Sequence, residues 1–222
     1  MKLLSATPPP AIVHELRAEE VALVTAEGAR FVRLARERQL QIRALGKHRA
    51  QAKAVEQLRR EERDDLEARL DIEAISAANA APTGGVETGP AAPAGRLLAW
   101  YREAQNRFGI RWQLLAAINF VESDFGRART KAVADAQGPM QFEPATWRAY
   151  GMGGDVYDPH DAILAAANLL AANHGRTDEA RALAHYNPSP LYWNAVLHYA
   201  HRIQTLRFAF REYYAWRLFV KK

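Results

Sequence analysis

One glutamate is the residue around which this sequence can do chemistry. Glu122 closes the run Trp112, Leu114, Leu115, Ala116, Ala117, Ile118, Phe120 and Val121, which is too apolar for an exposed helix and predicts a central helix of the core. In the last turn of such a helix the uncompensated carbonyls carry partial negative charge. A carboxyl group placed there and partly withdrawn from water is held protonated toward neutral pH, as a general acid requires. Gly126 soon afterwards suits the helix C-terminus, and the run Gly138, Pro139, Met140, Gln141, Phe142 then predicts a compact loop.

Other chemistries find less support. The chain has no cysteine, which rules out disulfides, thiol catalysis and thiolate metal sites. Ser123 has no His or Asp at a spacing that suggests a triad, and it reads as a helix-end contact. His198 and His201 stand three apart on a predicted helix but lack a third ligand, so no metal and no cofactor is expected. His160 follows a helix start and is expected to be exposed. Trp147 and Trp193 are expected to pack, and so, on residue type alone, are Met140 and Phe142.

The elements that must position Glu122 are helical. Of 222 residues, 49% are hydrophobic and 25% charged, which is ordinary for a soluble globular chain. Abundant Ala and Arg with few β-branched runs predict an all-α protein. Residues 1–76 read as a helical N-terminal region, and from about Ala11 to Ala77 the sequence is almost free of helix breakers apart from Gly28 and Gly46. A stripe of Leu16, Leu23, Phe31, Leu34, Ile42 and Leu45 thins into charge by Arg60 to Asp65. No strict heptad is kept, so this region predicts a helical hairpin or an exposed helix, an appendage to the C-terminal half of the chain. Residues 77–95, rich in Ala, Pro, Gly and Thr, cannot build a core and predict a linker.

Residues 96–204 read as a string of punctuated helices. The first runs from about Arg96 to Phe108, with Gly109 as its stop, and the second is the Trp112 to Ser123 segment. Pro144 starts a short helix that Gly151 ends. Asp158 is expected to cap the next, with Pro159 at its first position and Asp161 completing a box-like arrangement. Thr177 or Asp178 caps another that ends near Tyr186 and Asn187, and Pro188 and Pro190 break the chain before a helix from about Leu191 to Leu206. Residues 205–222 form a basic, aromatic C-terminal segment reaching Phe219, expected to dock on the domain. Its basic residues, with Arg202, Arg207, Arg211, Arg217, Lys221 and Lys222 against Glu212, suit a solvated face. The net charge of +5 favours an anionic partner in general. Nucleic-acid binding is not expected, because acids interleave with bases nearly one for one in the N-terminal helices.

Three short signatures occur in order: Glu122-Ser123 at the end of the apolar helix, Gly138-Pro139-Met140-Gln141 in the loop, and Tyr186-Asn187 after a short helix. In this ordered set, over roughly Arg96 to Ile203, the chain resembles the lytic transglycosylases, bacterial murein-cleaving enzymes related in fold to goose-type lysozyme. The phrasing GPMQF, P-x-T-W and a Gly-rich turn before DP looks most like actinobacterial members and the membrane-bound B type. The resemblance implies a lysozyme-like catalytic domain after the helical appendage. It implies that Glu122 is the single catalytic acid, that Met140, Gln141 and Phe142 line the saccharide cleft, that the Tyr186 hydroxyl lies near the carboxyl, and that Asn187 is its structural neighbour. Ala132, Asp135 and His185 depart from the pattern of many relatives.

By the same resemblance, the substrate is the β-1,4 bond between N-acetylmuramic acid and N-acetylglucosamine in peptidoglycan glycan strands. An ordinary glycosidase needs two carboxyl groups. Here Asp124 points elsewhere on the helix, Asp158 is explained as a cap, and Asp135, Glu143 and Asp155 make no convincing partner. A lytic transglycosylase needs none, because the 6-hydroxyl of the muramic sugar attacks the anomeric carbon and leaves a 1,6-anhydro end. The alternatives are a hydrolytic muramidase and a non-catalytic peptidoglycan-binding scaffold, with the N-terminal helices recruiting a cell-wall assembly partner. The substrate implies an extracytoplasmic location. Met1 to Pro10 lacks the apolar core of a signal peptide, and no stretch approaches a membrane span.

Overall fold

The helices run in the order α1 (Pro9–Thr25), α2 (Gly28–Lys47), α3 (Ala94–Phe108), α4 (Trp112–Ser123), α5 (Pro144–Tyr150), α6 (Pro159–Ala172), α7 (Glu179–Tyr186), α8 (Pro190–Thr205) and α9 (Ala209–Ala215). This computed structural model describes residues 9–47, 63, 65–72, 87–129 and 136–217, of which 65–72 are also helical. Among the described residues the all-α expectation holds, and the only β-type pairings are two isolated antiparallel bridges, Thr88 with Ala128 and Gln137 with Phe142. No helix among them is long and apolar enough to cross a membrane. The expectations for Ala132, Asp135, Phe219, Lys221, Lys222 and most of the stretch between Lys47 and Asp65 fall outside the described residues.

α4 is the axis of the fold because its sequence leaves it no polar face. Leu114 through Val121, and Ser123, are all buried, and α3, α6, α8 and α9 pack around it. Phe120 stacks on Tyr213 of α9 at 5.1 Å and meets Tyr199 of α8 edge-on at 5.0 Å. Burying a side chain of that size contributes about 2–3 kcal/mol, so these contacts hold the helix rigidly. The end of α4 differs from the glycine stop predicted for it. Asp124 is itself the left-handed cap, and Phe125 and Gly126 continue in the same region with φ of 62° and 82°. Asp124 tolerates that backbone because its carboxylate is fixed by Arg127 at 3.1 Å.

The flanking elements begin where their caps predict. Asp158 accepts hydrogen bonds from the His160 and Asp161 amides, with Pro159 at the first position of α6, and Asp178 accepts from the Arg181 amide at the start of α7. The box-like arrangement is corrected in one respect: the Asp161 carboxylate accepts from the Asp155 amide at 2.9 Å, and so closes the preceding turn.

The N-terminal helices pack on the rest of the chain. α1 and α2 do form a hairpin, and Leu16, Leu23, Phe31, Ile42 and Leu45 are buried as the stripe predicts. Leu23, Ala26, Phe31, Ala35 and Ala68, however, belong to the same apolar core as α4 and α8. Arg202, expected on a solvated face, is wholly buried with Arg38 of α2. Between them these two guanidiniums hold Asp65 and Glu212, with Arg38 at 2.9 Å from Glu212 and Arg202 at 3.0 Å from Asp65. The Tyr213 hydroxyl donates to Asp65 as well. Charges this deep persist only when paired from several sides, which ties α2, the 65–72 helix, α8 and α9 together. The last residues of the linker are docked too, since the Gly89 amide donates to the Arg127 carbonyl and the Arg129 amide to that of Glu87, both at 2.8 Å.

Candidate active site

The end of α4 is joined to the 137–142 loop by buried polar groups. Tyr101 of α3 donates its hydroxyl to Asn119 Oδ1 at 2.6 Å, and Asn119 Nδ2 donates to the Pro139 carbonyl at 2.8 Å. Ser123 Oγ donates to the same carbonyl at 2.5 Å and accepts from the Gly126 amide at 2.7 Å. Ser123 is therefore the helix-end contact its sequence context suggests. Asn119 had no such signal, because an Asn inside an apolar helix shows its partner only once the loop is folded against it.

The loop itself is a closed turn. Gln137 and Phe142 exchange backbone hydrogen bonds of 2.8 and 2.9 Å, and Gln141 takes a left-handed φ of 51°. At Gly138, φ is 71° and an added Cβ would fall 1.9 Å from the Val156 carbonyl oxygen, so only glycine fits. Gln141 Nε2 donates to the Gly138 carbonyl at 2.8 Å, which commits part of the side-chain amide to the loop.

Glu122 opens into a cleft of about 400 Å³ whose walls include Gln141, Phe142, Glu143, His185, Tyr186 and Asn187. It is half-buried there, and burial is the main reason its carboxyl is pushed up from the ordinary 4.5 to about 7. A hydrogen bond opposes that shift: Tyr192 of α8 donates its hydroxyl to Glu122 Oε1 at 2.6 Å. The carboxyl is thus poised to give up a proton near neutral pH and to take one back.

The residues expected at the site are brought together, but in different capacities. The Tyr186 hydroxyl donates to the Met140 carbonyl at 2.6 Å and so clamps the loop to α7, while the hydroxyl in contact with the acid belongs to Tyr192. The two tyrosine rings stack with centroids 6.3 Å apart and planes 6° from parallel. Met140 is wholly buried and Phe142 nearly so, packed against Trp147 and Tyr186. Their side chains support the cleft wall from behind, although Phe142 also borders the cleft. Asn187 shapes the turn into α8, its Oδ1 accepting from the Ser189 amide at 3.0 Å and its carbonyl from Trp193 Nε1 at 2.9 Å. His185 lies on the cleft wall, while His198 approaches Glu67 at 3.7 Å and His160 pairs with Glu103 at 2.9 Å.

Tyr192 carried no local signal in the sequence, being 70 residues from its partner and distinguished only by standing early in a helix after two prolines. Of the other carboxylates, Asp124 is buried against Arg127, Asp155 accepts from the Tyr157 amide, and Asp158 caps α6. Among the described residues Glu143, exposed at the start of α5, is the one further acid on the cleft wall. A larger depression of about 680 Å³ lies beyond Gln141 and does not include Glu122.

Residues 100–205 match the family model described as transglycosylase SLT domain, a span that holds Glu122, Gln141, Tyr186 and Tyr192 and excludes α1, α2 and α9. No curated protein and no solved structure matches the chain.

Proposed function

We propose that this chain, which carries the transglycosylase SLT domain of the peptidoglycan lytic transglycosylases over residues 100–205, cleaves the β-1,4 bond between N-acetylmuramic acid and N-acetylglucosamine with Glu122 as its one acid-base group. Enzymes with this domain act on peptidoglycan. The observation that carries the finer reading is the half-buried Glu122 carboxyl, raised to about 7 and held by Tyr192 at the floor of a cleft.

The protonated carboxyl donates its proton to the glycosidic oxygen as the bond from that oxygen to the muramic anomeric carbon breaks. Positive charge develops on the sugar, and the 6-hydroxyl of the same muramic unit attacks the anomeric carbon. Glu122, now a carboxylate, takes the hydroxyl proton, so the group returns to its starting state and a 1,6-anhydro end is left. Tyr192 contributes by stabilising the carboxylate between the two steps. Gln141, Tyr186 and Asn187 frame the sugar, with Met140 and Phe142 shaping the wall on which it rests. A lone carboxylate suffices because the nucleophile belongs to the substrate.

One observation favours a second reading. Glu143 on the cleft wall is a carboxylate that can hold a water molecule, which would make the enzyme a hydrolytic muramidase. Digestion of purified peptidoglycan with mass analysis of the released sugars separates the two, since the anhydro product is lighter than the hydrolysed one by one water. Hydrolysed ends alone overturn the transglycosylase reading. Equal and negligible release by the wild-type chain and Glu122→Gln leaves a binding scaffold in its place. The substrate puts the working location outside the cytoplasmic membrane. Recruitment of a wall-assembly partner would fall to the outer face of the α1–α2 hairpin, where Val21 and Val24 are 70% and 69% exposed.

A further inference from the structure

We infer that Glu19 of α1 and Gln41 of α2 form a latch closed by a proton, which holds the first half of α1 on α2 in acid and frees it as the pH rises to neutrality. The carboxyl and the amide are already joined on one side, where Gln41 Nε2 donates to Glu19 Oε1 at 2.8 Å. On the other side Glu19 Oε2 and Gln41 Oε1 are both buried, and neither has a hydrogen-bond partner among the described residues. Two acceptors cannot satisfy each other. A proton on Glu19 Oε2 makes it a donor, and the two groups then close a ring of paired hydrogen bonds in which neither oxygen is orphaned.

The setting favours that proton. Gln41 is only 4% exposed, and burial is the main reason the Glu19 carboxyl is pushed up from 4.5 to about 7. The Gln41 hydrogen bond and Arg38 oppose the rise, whereas Glu37 on α2 and Glu15 one turn back on α1 add to it. Glu15 also accepts from Gln41 Nε2, at 3.4 Å, which uses the second hydrogen of the amide. Arg38 is engaged with Glu20 of α1, Asp65 of the 65–72 helix and Glu212 of α9, and Arg202 of α8 faces Glu20 at 3.6 Å.

The latch stands at a seam in the packing. Ile12, Val13 and Leu16 of α1 form a small apolar cluster with Ile42, Leu45 and Leu66, separate from the main core, which begins on α1 at Leu23. Glu19 lies between the two, and a satellite cluster can open without the domain core. Beyond that cluster the first half of α1 is fastened to Arg38, whose Nη1 donates to the Leu16 carbonyl at 3.0 Å. The closed form keeps the proton up to about pH 7, while a released α1 gives it up near 4.5. The release equilibrium therefore grows across that interval and is flat above it.

Hydrogen exchange of the α1 amides at pH 5 and pH 8, corrected for the intrinsic rate, tests the latch. The full chain is used in a Glu122→Gln background, which removes the other carboxyl that titrates near neutrality. Protection over residues 11–19 should drop on the order of tenfold between the two pH values, less than the full linkage because Glu19 is partly open to solvent. Glu19→Gln replaces the protonated acid by an amide able to make the same ring with Gln41, and should keep α1 protected at both. Gln41→Met, which fills the space without the ring, should lower the protection at pH 5. Equal protection at both pH values, a drop that persists in Glu19→Gln, or unchanged protection in Gln41→Met would each overturn the latch. So would α1 amides that exchange as slowly as those of α4, since α1 would then come away only with the whole domain. No readout involves turnover, so the result stands whether or not the chain cleaves peptidoglycan.

Discussion

Tyr192 Oη and Glu122 Oε1 stand 2.6 Å apart, a hydroxyl donating to a carboxyl across the gap between α8 and α4. Burial raises the acid, and this hydrogen bond draws it back down. A carboxyl shifted by burial alone would be a weaker proton donor at neutral pH, and one without burial would have lost its proton. The balance of the two sets the pH at which Glu122 gives up its proton.

Removing the donor disturbs both position and acidity. Tyr192→Phe should lower kcat about tenfold, because a free carboxyl samples unproductive rotamers. It should also move the alkaline limb of the rate profile to higher pH, since donation to the carboxylate favours the ionised form. A pH profile of anhydro-sugar release measures both effects. Loss of rate with an unmoved limb would show that the hydroxyl does not act on the acid.

The raised acid has a thermodynamic signature as well. In the folded protein Glu122 holds its proton up to about pH 7, while the unfolded chain releases it near 4.5. The native state thus binds more protons between those values, and its stability falls as pH rises through that window and then levels off. Glu122→Gln abolishes this contribution, so relative to wild type it should gain about 2–3 kcal/mol on going from pH 4 to pH 8. For activity, kcat/KM should fall above about pH 7, where the free enzyme loses the proton it must donate. Denaturant titrations of both proteins at the two pH values check the stability claim.

Gly138→Ala should be among the most damaging single-methyl additions. Its Cβ would meet the Val156 carbonyl oxygen at 1.9 Å, and the residue already needs φ of 71°. Strain of about 3 kcal/mol or more is expected, together with displacement of Gln141 and loss of activity. Thermal unfolding measures the first. Gly153→Ala, also at positive φ but with open space around it, serves as the comparison and should cost about 1 kcal/mol.

Asp65→Ala should uncouple the N-terminal helices from the SLT half. It leaves Arg38, Arg202 and the Tyr213 hydroxyl without their shared acceptor in a buried setting, a change that typically costs about 3–5 kcal/mol. Because Tyr213 stacks on Phe120 of α4, the helix that carries Glu122 should loosen as well. Hydrogen exchange of the α4 amides in Asp65→Ala and wild type tests this link. Unchanged protection would show that α4 keeps its rigidity without the N-terminal buttress.

Much of the molecule was legible in the sequence because it is set by interactions within a few residues. The apolar run of α4, the Asp158 and Asp178 caps, the Pro144 start and the Gly109 stop all depend on local backbone hydrogen bonds and side-chain period. The candidate acid was legible for the same reason, since an acidic residue closing a buried helix is a local pattern. Tertiary packing decided which tyrosine touches that acid, how Asn119 and Ser123 join α4 to the loop, and that Arg38 and Arg202 share Asp65 and Glu212 inside the core. Each of those contacts joins groups far apart in the chain, and their hydrogen-bonding directions and desolvation arise only when the helices stack. Residue types and spacing thus determined where a proton donor could stand, and the packing of α2, α8 and α9 around α4 decided what holds it there.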